Sequence, residues 1–287
     1  MSIKYIVNGS FRSGTSFVWK EIKEQNNDLV VLYEPCHENL TALLAQGDDS
    51  LHGLDLWSEY LNNPDILSVV ESNKPSPIYN YTDGAHLKYL SELNSLDKPL
   101  VLQTNRWHLY LERVRAVQKD VKYIHVVRDP CHVYNSILKA YVNQGSSKLT
   151  RCLKSLLPRD YIAKRAFNTK NHYKECCRLV GVVPNINFSA WQMFLYTWIV
   201  SNEFVLDFIA NESGFVFTYD KMLDSPGVVD GVFRSYGLDT DFVNNIQDRG
   251  VRGDIHSESL ERSARELGVS GRFGKIKEFF DEGLLSF

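Results

Sequence analysis

The chain has 287 residues, 44% hydrophobic and 23% charged, with a net charge of −3 at neutral pH. This is the composition of an ordinary globular protein with room for one large domain or two small ones, and it holds no internal repeat or low-complexity tract. The charge balance gives no reason to expect a nucleic-acid partner, and no stretch reaches the roughly 18 apolar residues of a membrane span.

Apolar strand-like runs alternate with helical patterns along the chain. "KYIVNG" is the first expected strand, and "TSFVWKEIKEQ" is the helix after it. "LVVLYE" (Leu29–Glu34) and "PLVLQT" (Pro99–Thr104) are the second and third strands, and "RWHLYLERVRAVQ" follows as a helix. "VKYIHVV" (Val121–Val127) is the fourth, with "PCHVYNSILKAYVNQ" as its helix, and "GFVFTY" (Gly214–Tyr219) is the fifth. Near-continuous apolar strands separated by helices predict an α/β fold in which a parallel sheet of about five strands is covered on both faces. Functional groups then belong at the carboxyl ends of the strands.

The expectation is a single domain over 1–287 with two inserted segments. Residues 47–98, with clusters of Gly, Asp, Asn, Ser and Pro, read as irregular surface structure. Residues 148–178 carry nine Lys/Arg against two acids, a local balance of +7 on an acidic chain. They read either as a solvated helical face or as a positive wall over an anionic ligand. In "FSAWQMFLYTWIVSNEFVLDFIANES", Trp191 and Trp198 fall at helical spacing and read as core. Five cysteines without a C-x-x-C pair fit a reducing compartment better than a disulfide framework, and Cys176-Cys177 reads as two half-buried thiols on a helix. With no leader ahead of "IKYIV", the expected location is cytoplasmic.

The first strand runs into "GSFRSGTS", with Gly9 and Gly14 at the spacing of a phosphate-binding loop. A strand that ends in such a turn and opens a helix points backbone N–H groups and the positive end of the helix dipole at one spot. Hydroxyls of Ser13, Thr15 and Ser16 can add donors. Where an ATP-binding loop has its lysine, this chain has Thr15, and the cation is earlier, at Arg12. A single terminal phosphate suits this loop better than a magnesium-bound triphosphate, and no metal site is expected.

A second pattern follows the fourth strand. Arg128 sits at its carboxyl end, Asp129 is placed to cap a helix that opens at Pro130, and Ser136 lies about two turns on. Arg128 and Ser136 can converge on one anion. The alternative for Arg128 is an ion pair that stabilises the turn. Together the two patterns suit a nucleotide with two separate phosphates.

"SFRSGTSFVWKEI", "LVVLYEPCHE", "VKYIHVVRDPCHVYNS" and "GFVFTYDKMLDSP" together resemble, in family order over residues 1 to 236, the sulfotransferases that use 3′-phosphoadenosine 5′-phosphosulfate (PAPS). The wording is closest to carbohydrate 6-O-sulfotransferases. The resemblance implies a P-loop-type fold and transfer of a sulfuryl group from PAPS to a hydroxyl or amine of a carbohydrate acceptor, with 3′,5′-adenosine bisphosphate (PAP) as product. It places Arg12 and the N–H groups of Ser13 to Ser16 at the sulfate–phosphate bridge, and Arg128 and Ser136 on the 3′-phosphate. Negative charge that builds on the departing bridge oxygen would be stabilised there. Glu34, at the end of the second strand, is the candidate base, its pKa raised if it is buried unpaired, and an ion pair with Arg12 is its alternative role. His37 and Glu38 are the fallback bases. "PCHEN" departs from the family after the Glu-Pro pair, and Gln103 stands where related enzymes have a lysine, so His37, Asn105 and Arg106 are placed on the acceptor side. Lys164 and Arg165 of the basic segment would meet an anionic acceptor. Two other readings compete: a P-loop kinase for a small molecule, and a nucleotide-binding module without chemistry.

Overall fold

The computed structural model describes residues 2–37, 39–46, 55–75, 83–105, 107–143, 158–246 and 255–287. Its centre is a six-stranded sheet in the order β2-β3-β1-β4-β5-β6, formed by β1 (Ile3–Gly9), β2 (Val30–Tyr33), β3 (Leu100–Asn105), β4 (Lys122–Val127), β5 (Gly214–Thr218) and β6 (Leu284–Ser286). The first five strands run parallel, and β6 pairs antiparallel with β5. The α/β expectation therefore holds, with a sixth strand added at one edge.

Burial explains why these runs form strands. Ile6, Val7, Val31, Leu32, Val101, Leu102, Val126, Phe215 and Val216 are all essentially unexposed, as interior strands covered on both faces require. On one face, helix Pro226–Ser235 sets Phe233 edge-on to Phe215 at 4.9 Å. Tyr123 meets Phe208 of helix Ala190–Ile209 at 5.0 Å. Phe215 is in register with Ile124, the neighbour of Tyr123, so successive side chains put these two contacts on opposite faces. The long helix starts at Ser189, whose hydroxyl accepts from Gln192 N while the Gln192 side chain accepts from Ser189 N. The expected helix after β3 is shorter than its pattern: a 3₁₀ turn, His108–Tyr110, precedes helix Leu111–Val117.

Both inserted segments contribute to the core. The described part of 47–98 forms helices Ser58–Leu61, Pro64–Asn73 and Asp83–Ser95, and Tyr60, Ile66, Val70, Tyr89 and Leu90 are fully buried. This corrects the surface reading. Apolar side chains spaced across the polar stretches face inward, and two of them end in hydroxyls that hold a turn. Tyr60 donates to Tyr33 O and Tyr89 to Pro35 O, both at 2.9 Å, on either side of Glu34. The described part of 148–178 is helical, as expected, in helices Arg159–Arg165 and Thr169–Leu179. Ile162 and Ala163 pack on Leu138 of helix Pro130–Asn143, and Ala166 packs with Val133, Ile137 and Phe11. Cys176 and Cys177 are fully buried in helix Thr169–Leu179, deeper than the half-burial expected. Among the described residues, no helix is long and apolar enough to cross a membrane.

A chain of buried polar residues crosses the apolar centre. Asn8 and His125 are neighbours in register on β1 and β4, and both are buried. Asn8 Oδ1 accepts from Thr104 Oγ1 at 3.1 Å and from Trp107 N at 3.2 Å, so its Nδ2 donates to His125 Nδ1 at 3.2 Å. His125 Nε2–H then donates to Asn202 Oδ1 at 3.0 Å, and Asn202 Nδ2 to Trp198 O at 2.7 Å. This chain requires a neutral imidazole, and burial agrees by pushing the His125 pKa down to about 4. An unfolded histidine takes up its proton near ~6.5, so this contribution to stability is complete above that pH and is lost as pH falls through about 4. The amount at stake is on the order of 3 kcal/mol. Urea unfolding as a function of pH should show this loss in the wild type and a flatter profile in His125→Gln. An identical pH slope in the variant would contradict the assignment.

Candidate active site

The crevice at the carboxyl ends of β1 and β4 is where the chain leaves the sheet in two directions, from β1 toward β2 on one side and from β4 toward β5 on the other. Gly9 ends β1, and the loop folds back on it. A Cβ there would lie 2.5 Å from Ser13 Oγ, 2.7 Å from Thr15 Cγ2 and 2.9 Å from Val126 O. Gly14 caps helix Thr15–Gln25 at φ 105°, and a Cβ on it would lie 2.6 Å from the Tyr219 ring. The spacing of the two glycines thus reflects two separate close approaches, one to the loop and one to an aromatic ring from the end of β5.

The cations converge. Arg12 Nε donates to Ser136 Oγ at 3.0 Å, and Arg128 Nη1 donates to Arg12 O at 3.3 Å. The Arg128 guanidinium lies 4.3 Å from the centre of the Tyr219 ring, a cation–π contact. Tyr219 is held there because Thr218 caps its helix, accepting from Lys221 N at 3.0 Å. Asp129 Oδ1 accepts from His132 N at 2.8 Å, so it caps its helix as expected and does not neutralise Arg128. Among the described residues, neither Arg12 nor Arg128 has a carboxylate within ion-pair distance. Ser13 Oγ and Arg128 Nε are buried and have no hydrogen-bond partner there. The residues read as two separate phosphate sites thus form one continuous cluster, with Arg12 bonded to Ser136.

The other loop hydroxyls turn toward the second half of the site. Thr15 Oγ1 donates to Asn105 Oδ1 at 2.9 Å, Asn105 Nδ2 donates to Glu34 Oε1, and Ser16 Oγ meets Tyr33 Oη at 3.0 Å. Gln103 Nε2 also donates to Asn105 Oδ1 at 3.3 Å. Glu34 is therefore neither unpaired nor bonded to Arg12. It is a buried carboxylate tied through Asn105 to the first residue of the loop helix. His37 Nε2 lies 4.0 Å from Glu34 Oε2. His37 Nδ1 accepts from Asn39 N at 3.1 Å, so Nε2 carries the ring proton and faces the carboxylate. Lys164 pairs with Asp160 at 2.9 Å and Arg165 lies over Tyr161, so each basic side chain is engaged within its own helix. Glu38 and Arg106 lie outside the described residues.

Sequence position alone puts Asn105 near the site, but its role as the link between Thr15 and Glu34 is visible only in the structure. Tyr219 stands out in the sequence only as part of a weak motif. The Asn8–His125 pair escapes the sequence reading, although two polar residues at matching depth in otherwise apolar strands are a visible signal.

Arg12 (φ 69°) and Glu34 (φ 40°) both have left-handed backbone, which costs a residue with a side chain roughly 1–2 kcal/mol. Both stand beyond carboxyl ends of strands, Arg12 exposed and Glu34 buried.

No family model matches the chain. It is 26% identical over 255 residues to an uncharacterized protein of Archaeoglobus fulgidus, an overlap that covers 78% of this chain and 80% of that one. In structure it is similar to the sulfotransferase domain from the Synechococcus PCC 7002 olefin synthase, with a TM-score of 0.47 and 14% identity over 98% of this chain and 94% of that one. It is also similar to the mouse sulfotransferase SULT7A1 complexed with PAP, with a TM-score of 0.47 and 12% identity over 97% and 89% of the two chains.

The strain at Arg12 can be tested apart from any activity. Arg12→Gly should leave the urea midpoint unchanged or raise stability by up to ~1 kcal/mol, whereas Arg12→Ala keeps the strain and should gain nothing. Arg12→Gly less stable than Arg12→Ala, both of which lose the Ser136 bond, would show that the conformation is not strained.

Proposed function

We propose that this protein transfers a sulfuryl group from PAPS to a hydroxyl of an acceptor. The observation that carries this is the pair of guanidinium groups beside the N-terminus of helix Thr15–Gln25: Arg12, bonded to Ser136, and Arg128, bonded to the Arg12 carbonyl, both left without carboxylate partners among the described residues. Unneutralised cations, a helix N-terminus and the unpartnered Ser13 hydroxyl form a site for an anion with more than one charged group. A loop with Thr15 where an ATP-binding loop has lysine favours a donor with separated single phosphates.

In this reading the acceptor oxygen forms a bond to sulfur as the bond from sulfur to the bridging oxygen breaks. PAP leaves with that electron pair. Arg12 and the loop N–H groups stabilise the charge on the departing oxygen. Glu34 takes the acceptor proton, and Asn105 orients the carboxylate by donating to one oxygen, which leaves Oε2 toward His37 and the acceptor. Because Asn105 also receives the Thr15 hydroxyl, the base and the anion loop are held by one side chain. The carbohydrate class of the acceptor is supported by the resemblance of the Glu34–Pro35 turn.

Thermal shift separates the donors. PAP at 100 times its Kd should stabilise the protein by about 2.7 kcal/mol. AMP and Mg-ATP should do far less, and Arg128→Ala should abolish the PAP effect. Stabilisation by Mg-ATP in preference to PAP would replace this reading with a kinase. With PAPS and an accepted acceptor, Glu34→Gln should lower kcat by about 10²–10⁴ while PAP affinity holds. An unchanged kcat would remove Glu34 as base.

A further inference from the structure

Beside the anion cluster lies a cavity of about 90 Å³, with Phe11, Leu109, Val133, Ile137, Phe194 and Trp198 as its apolar wall. Phe11 directly precedes Arg12 and Ile137 directly follows Ser136, and successive Cα atoms are only about 3.8 Å apart. The cavity and the cluster therefore share a border, with Phe11 on it. The sulfuryl-transfer steps above leave this space unused.

Its chemistry narrows the occupant. The carboxylate of the wall, Glu175, accepts from Arg178 at 2.6 and 3.0 Å and from Tyr110 Oη at 2.5 Å, so it offers no free charge to a cationic ligand. Burial pushes the Cys176 thiol up to about 12, which keeps it neutral. The indole N–H of Trp198 is buried and has no hydrogen-bond partner among the described residues. A benzene ring occupies an apolar cavity of about 150 Å³, so this smaller space suits a compact group of a few carbons. A bare sugar ring would bury hydroxyls against the six apolar side chains of the wall, at a cost for each one left unbonded.

We propose that this cavity is an acceptor subsite for a short alkyl group joined through an ether or ester oxygen. The accepted molecule is then an amphiphile, an alkyl glycoside or O-acylated sugar, not an unsubstituted polyol. The oxygen would meet the Trp198 N–H while the alkyl group covers Phe11 and Ile137. This rests on the sulfuryl-transfer reading for the word acceptor, but the subsite can be tested without it.

The probe is trifluorobutanol, followed by fluorine NMR on the full chain without nucleotide. Saturable broadening is expected, reversed by isoamyl alcohol and not by glucose at the same concentration. Thr197→Phe, which adds a ring to the wall, should weaken binding at least tenfold while stabilisation by PAP persists. Trp198→Phe should weaken it several-fold. No saturable binding, equal competition by glucose, or wild-type affinity in a folded Thr197→Phe would overturn the subsite. The competition on wild-type protein decides the matter even if the variants fail to fold. Probe binding without any response to PAP would leave the cavity assignment standing and remove the sulfuryl-transfer reading.

Discussion

The arrangement of the site depends on a buried hydrogen-bonded pair that cannot be rearranged cheaply. Asn8 and His125 face each other inside the sheet, one residue before Gly9 and three before Arg128. An unsatisfied polar group at that depth costs roughly 1–3 kcal/mol, so slipping β1 against β4 is opposed by every bond in the chain from Thr104 to Trp198. With the register fixed, the distance between the first loop and the turn after β4 is fixed too. Arg12 then reaches Ser136 and Arg128 reaches the Arg12 carbonyl as consequences of the sheet.

The two halves of the site are supported differently. The anion half is held by backbone close approach: loop atoms around Gly9, and the Tyr219 ring against Gly14. The Glu34 half is held by side chains from far along the chain. Tyr60 and Tyr89 grip the turn on either side of the carboxylate, and Asn105 grips the carboxylate itself. Among the described residues, Asn105 joins both halves, through Thr15 and through Glu34.

Much of this is legible in the sequence, for identifiable reasons. The five parallel strands are buried on both faces, so their apolar runs mark them within a residue or two. β6 is not legible because an edge strand of three residues, none of them buried, leaves no periodic signal. The loop glycines, Arg128 and Ser136 follow from local spacing and helix geometry. The partner of Glu34, the segment that buttresses its turn and the ring against Gly14 are contacts over long sequence separations, and local pattern carries no information about them. The ion-pair partner of Lys164 is one helical turn away, at Asp160.

The strand order also bears on how the chain reaches this structure. β1 is central, but its partners are distant: Ile6 pairs with Leu102 on one side and with Tyr123 on the other. A strand near the start of the sequence must wait for two segments about a hundred residues later, and closing such loops takes entropy before contacts repay it. Loop closure therefore weighs against early pairing of the central strand. The glycine loop hangs from that strand with a left-handed arginine in it, so the anion site matures only once the long-range topology is complete.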